Sequence, residues 1–162
     1  GSAFNLLFSE LLMQPLGAVH DGYVTLDAFG APRVAGGICV TPHDLLRFAE
    51  MVRNFGTVGT RQIVPEDWIA EFRSFDDTGP WQRQQDGPRH FPHGSYRSKW
   101  YRTGLPDGEF AAIGIHGQWI WVNPAREVSI IRMASNDLPI DPDAGPVLHA
   151  AFDAVCRAFA PA

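Results

Sequence analysis

The sequence predicts a mixed α+β fold, a mainly antiparallel sheet with helices packed on it. Helical patterns fill the first half, strand-like runs crowd the last third, and one more helical pattern closes the chain. Helices, then strands, then a helix is the element order of a sheet with helices segregated onto its faces. The runs 118–122 and 128–133 flank Asn123-Pro124-Ala125-Arg126, a short turn that makes them an antiparallel hairpin. The chain has 162 residues, 45% of them hydrophobic and 19% charged. That length suits one domain or part of one, with a core large enough to need no disulfide or metal.

Each element has its own local reason. Phe4, Leu7, Leu11 and Leu12 give the span from Phe4 to Met13 one apolar side, and Pro15 and Gly17 end it. Residues 23–26 alternate like a short strand, turned by Asp27-Ala28-Phe29-Gly30. Thr41 suits a helix N-cap, Pro42 the first helical position and Asp44 the first turn. Leu45, Phe48, Ala49, Val52 and Phe55 repeat at helical spacing until Gly56. Pro65-Glu66-Asp67 opens another helix carrying Trp68, Ile69 and Phe72. Residues 3–75 thus form a helical part, and 76–94, rich in Gly, Pro, Gln and Asp, form a long loop. Residues 95–162 hold strands at 96–103, 110–115, 118–122 and 128–133. Asp141-Pro142 then introduces a helix, which should pack on the sheet through Val147, Ala151, Val155 and Phe159, with Leu148 and Phe152 beside them.

Thirteen Lys and Arg against eighteen Asp and Glu give a net charge of −5, the wrong balance for a nucleic-acid surface. No run approaches the ~18 apolar residues of a membrane span. Gly1-Ser2 reads as a cloning scar or a cut edge, so the lack of a signal peptide says nothing of location. Cys39 and Cys156 lie far apart among apolar residues and read as reduced core thiols. No cofactor is implied. His90 and His93 are a loop pair without a further ligand at metal spacing, and Asp137, Asp141 and Asp143 read as capping residues.

The search for a nucleophile ends quickly. Lys99 is the only lysine, and three residues before it stands Tyr96, so a Ser-x-x-Lys motif is impossible in this chain. There is no Gly-x-Ser-x-Gly elbow, and Ser135-Asn136-Asp137 carries no weight. The unusual stretch is Gly114-Ile115-His116-Gly117-Gln118-Trp119, where two glycines and a histidine interrupt an apolar strand. Glycine within a strand marks a bulge or a close approach to the backbone. From residue types alone, His116 is either part of a site or a kinked-strand histidine satisfied by a nearby carbonyl.

The segment Ala35-Gly36-Gly37-Ile38-Cys39-Val40-Thr41-Pro42-His43-Asp44-Leu45-Leu46-Arg47-Phe48 resembles the GG…T-P-x-D-L-x-R-F stretch of serine hydrolases with the class C β-lactamase fold. Pro15-Leu16-Gly17 resembles their P-L-G, and Ile63-Val64-Pro65 with Trp68 their next helix. Gly114 to Trp119 and Val122-Asn123-Pro124-Ala125 are similar to closing strands of the branch that holds 6-aminohexanoate-dimer hydrolases and related esterases. Lys99-Trp100-Tyr101 is similar to that branch's aromatic strand. The resemblance runs in order from about residue 6 to 159.

What it implies is a single partial domain, 1–162, forming the C-terminal part of such an enzyme. The attacking serine and its lysine would lie upstream, in a missing N-terminal part that is this chain's partner. Ala112-Ile113-Gly114 would correspond to the family's Lys-Thr-Gly strand, with the Ile115 N–H as one oxyanion donor. Gly114, His116, Trp100 and Tyr101 would line the substrate cleft. Loss of Lys and Thr at that strand favours a small neutral amide or ester as substrate. The alternative is a stand-alone, noncatalytic binding domain derived from the same fold.

Overall fold

The computed structural model describes residues 2–83, 91–141 and 143–159. It contains α1 (Ser2–Phe8) running into a wide π turn (Ser9–Met13), then β1 (Tyr23–Val24), β2 (Ile38–Cys39) and α2 (Pro42–Arg53). Next come β3 (Thr57–Val58), β4 (Arg61–Gln62), α3 (Glu66–Ser74) and the single turn α4 (Gly79–Gln82). The last third supplies β5 (Ser95–Arg97), β6 (Trp100–Arg102), β7 (Phe110–Gly114), β8 (Gln118–Asn123), β9 (Val128–Arg132) and α5 (Ala144–Phe159).

Strands β5 to β9 make one antiparallel meander in chain order, with Gly114 opposite Gln118 and Asn123 opposite Val128. Because side chains alternate, the two faces of this sheet receive different residues. Trp100, Phe110, Ile120 and Val122 face α2 and α3, where they meet Ala49, Val52, Ile69 and Phe72. Phe72 is fully buried, stacked on Trp100 at 5.4 Å and edge-on to Phe110 at 5.5 Å. Ala111, Trp119 and Trp121 face the other way, towards Phe152 and Cys156 of α5. The sheet is therefore covered on both sides, and the hairpin predicted around residues 123–126 is present.

Asp44 joins the first segment to α2. Its carboxylate is buried at the helix start and accepts from the N–H groups of Val19 (3.1 Å) and His20 (3.3 Å), the Thr41 hydroxyl (2.9 Å) and Arg47 (3.2 Å). Burial pushes this carboxyl up, but the hydrogen bonds from Val19, Thr41 and His20 outweigh it and hold it below its ordinary value. The expected N-cap is in place, with the Asp44 N–H donating to the Thr41 hydroxyl at 3.2 Å.

Four expectations need correcting. The strand expected at 96–103 is two strands, because Ser98 and Lys99 both take left-handed conformations (φ 52° and 71°) and fold it into the β5–β6 hairpin. Residue 115 leaves β7 for a tight turn. Helix α5 packs through Gly145, Leu148, Phe152 and Cys156, whereas Val147 and Phe159 are 70% and 74% exposed. The helix carries two apolar stripes, and the Phe152 ring, 5.8 and 5.3 Å from those of Trp119 and Trp121, decides which one the sheet takes. The expected loop at 76–94 contains the helical turn α4, with Trp81 buried, and its residues 84–90, including His90 of the considered histidine pair, lie outside the described residues, as does Pro142.

Candidate functional site

The interrupted strand becomes a turn with a well-defined cause. Gly114 keeps extended backbone (φ −108°, ψ 167°), Ile115–Gly117 form a single 3-10 turn, and Gln118 resumes the ladder. Two consecutive residues are left-handed, His116 at φ 58° and Gly117 at φ 85°. Glycine is the residue for the second position, since a Cβ there would lie 2.2 Å from Arg132 Nη1 and 2.9 Å from the side-chain Nδ2 of Asn136.

The segment after β9 holds this turn in place. The His116 N–H donates to the Pro139 carbonyl at 2.9 Å, and the Asn136 N–H donates to the His116 carbonyl at 3.1 Å. His116 Nδ1 lies 2.8 Å from the Asn136 carbonyl oxygen, so the ring is satisfied by a neighbouring carbonyl, as one of its two readings required. Gln118 Oε1 accepts from the Ala134 N–H at 3.3 Å, while its Nε2 donates to the Ala134 carbonyl. Arg132 donates to the Gly117 carbonyl through Nη1 and to Asn136 Oδ1 through Nη2 at 3.4 Å. Ile115 stands at the tip, 61% exposed.

Residues of this turn and of the start of α5 enclose a small cavity of about 50 Å³, lined by Ile113, Gly114, Trp119, Ile140 and Leu148 among others. Of the residues expected to line it, Gly114 does, whereas Ile115, His116, Trp100 and Tyr101 do not. Trp100 is only 5% exposed and stacks on Phe48 and Phe72 in the core facing α2 and α3. Tyr101 sits opposite Ala111 and packs its ring against Trp81, Phe91 and Tyr96. Its hydroxyl is pushed up by burial and by the neighbouring Tyr96.

The family described as Beta-lactamase matches residues 10–153. The chain belongs to the beta-lactamase family. Among curated proteins it is similar to a 6-aminohexanoate-dimer hydrolase of Paenarthrobacter ureafaciens, 29% identical over 127 residues, which are 78% of this chain and 32% of that protein. Among solved structures it superposes on a Bacillus anthracis protein assigned as a 6-aminohexanoate-dimer hydrolase, with a TM-score of 0.77 and 21% identity. That match covers 93% of this chain and 37% of the other. A Bacteroides dorei DSM 17855 protein assigned as a beta-lactamase follows at TM-score 0.63 and 20% identity, covering 94% of this chain and 51% of that one. The chain thus spans about a third of the length of the curated relative.

Within this beta-lactamase-family hydrolase fold, the residues that sequence reasoning missed are Arg132 and Asn136, which hold the turn at Gly117. The second glycine of the Gly-x-x-Gly stretch was the one available signal. Arg132 and Asn136 lie in unremarkable sequence, and only the β8–β9 register brings them beside the turn.

Proposed function

We propose that this chain is the C-terminal part of a serine hydrolase that cleaves a small neutral amide or ester through an acyl-enzyme. The observation that carries the reading is a family match over most of a chain that has no Ser-x-x-Lys motif, its single lysine following Tyr96 by three residues. The nucleophile and the base that activates it then come from a preceding part of the same protein, since a serine hydroxyl needs such a base to attack at neutral pH. The small cavity beside Gly114 supports this. A substrate pocket is ordinarily about 300–1,000 Å³, so a site built at Gly114 would draw most of its wall from another segment.

In this reading the β7–β8 turn supplies the electrostatic part of catalysis. The Ile115 N–H donates to the oxyanion that forms as the carbonyl becomes tetrahedral, and the second donor belongs to the nucleophile's own residue. Gly114, with no side chain, lets the acyl group come close to the backbone. His116 holds the turn through the Asn136 carbonyl.

The test is incubation of this chain, and of the protein that includes the preceding segment, with p-nitrophenyl acetate and a fluorophosphonate probe. The chain alone should show background hydrolysis and no labelling, and the longer protein should show both turnover and one labelled serine. A labelled serine within residues 1–162 overturns the assignment, and a longer protein inert to both reagents favours a noncatalytic binding domain.

A further inference from the structure

We propose that Arg132 is a positioning residue for the oxyanion donor: its guanidinium, reaching the Gly117 carbonyl, fixes the 115–117 turn so that the Ile115 N–H stays aimed at the reacting oxygen. This rests on the hydrolase reading above. The turn is a left-handed excursion at two successive residues, a backbone state unfavourable for a residue carrying a side chain such as His116, so it persists only where its surroundings impose it. Arg132 bonds on both sides of the clamp, to Gly117 on the turn and to Asn136 on the segment that holds it. Among the described residues Arg132 forms no ion pair, so its donors are spent on these oxygens and not on a carboxylate.

Geometry also explains why the clamp is an arginine. Nη1 sits where a Gly117 side chain would begin, 2.2 Å from the ideal Cβ position, so the guanidinium fills the space that the glycine leaves. A fork with two nitrogens can serve both acceptors at once, which a single ammonium does less well. Arg132 itself lies at the end of β9, opposite Trp119, and is thereby fixed to the sheet. The sheet thus sets the donor's direction through one side chain, and a misplacement of about 1 Å at such a site can cost 10²-fold in rate.

The experiment uses the longer protein with p-nitrophenyl acetate, and active sites are counted by fluorophosphonate titration. Arg132→Met keeps the length and apolar stem but removes the donors. Its kcat per titrated site should fall by about tenfold to a hundredfold with KM within about twofold, because an oxyanion donor acts in the transition state. Arg132→Lys, which restores one donor, should recover most of the lost kcat. A merely structural arginine would lower the melting temperature and the number of titrated sites but leave kcat per site unchanged, and that result overturns the inference. If Arg132→Met fails to fold, Arg132→Gln is judged by the same criterion. A wild-type protein with no turnover and no labelling refutes the hydrolase reading and this inference with it. Active wild type beside a fully active Met variant refutes the inference alone.

Discussion

Replacing Gly117 with alanine puts a methyl group into space already taken. The residue sits at φ 85°, and left-handed backbone costs an ordinary L-residue about 1–2 kcal/mol. The new Cβ also falls 2.2 Å from Arg132 Nη1, so the guanidinium has to leave the Gly117 carbonyl. A hydrogen bond from a charged group contributes about 1.5–3 kcal/mol, which brings the expected total to about 2.5–5 kcal/mol. Urea unfolding of the wild-type chain and Gly117→Ala measures that sum as a change in midpoint at constant slope. The cycle with Arg132→Ala separates its parts. Without the guanidinium, Gly117→Ala should cost the backbone share, about 1–2 kcal/mol, and a small shift of the Asn136 side chain, leaving a coupling of about 1.5–3 kcal/mol. Additivity within about 0.5 kcal/mol would mean that Arg132 and Gly117 do not share the space the structure assigns them, and the clamp argument would fail.

Three further outcomes follow from the packing and the buried carboxyls. Phe152→Ala should destabilise by about 3–5 kcal/mol in chemical denaturation and Val147→Ala by less than about 0.5 kcal/mol, which tests the face of α5 that the sheet takes. Asp44 has a lowered folded-state pKa, so its contribution is present above the ordinary carboxylate value of 3.8 and is lost as pH falls through the folded value. Asp44→Asn should therefore melt lower than wild type at pH 7, with the gap closing below about pH 4. Glu109 behaves oppositely, because burial first of all, with the nearby Asp107, pushes its carboxyl up, and Oε2 has no hydrogen-bond partner among the described residues. Its stability contribution is present below the ordinary 4.5 and is lost as pH rises through the folded value, so Glu109→Gln should match wild type near pH 4 and melt higher at pH 7.

Much of the fold was legible because local signals and tertiary demands agreed. The N-cap at Thr41, the Asp27 turn, whose carboxylate accepts from the N–H groups of Phe29 (2.8 Å) and Ala31 (2.9 Å), and the 118–132 hairpin all follow from short-range chemistry. What escaped depended on contacts between distant segments. Ser98-Lys99 is not a turn pair by composition, yet a tight hairpin there sets Trp100 into the core and Tyr101 on the opposite face. Helix α5 offers two apolar stripes of similar character, and only the strand tryptophans choose between them. At the site, the glycines and His116 announced a break in the strand. Its geometry depends on Arg132 and Asn136, which are ordinary polar residues until the sheet brings them to Gly117.

The proposed hydrolase stands or falls with the Ile115 N–H acting as an oxyanion donor for a serine supplied by a preceding segment. A crystal structure of the longer protein carrying a covalent phosphonate on that serine tests it most directly, since the phosphonyl oxygen stands where the oxyanion forms. That oxygen is expected within about 2.7–3.1 Å of the Ile115 nitrogen, with Gly114 facing the alkyl group and Arg132 still on the Gly117 carbonyl. A phosphonyl oxygen held by other donors, with Ile115 turned to solvent, would contradict it.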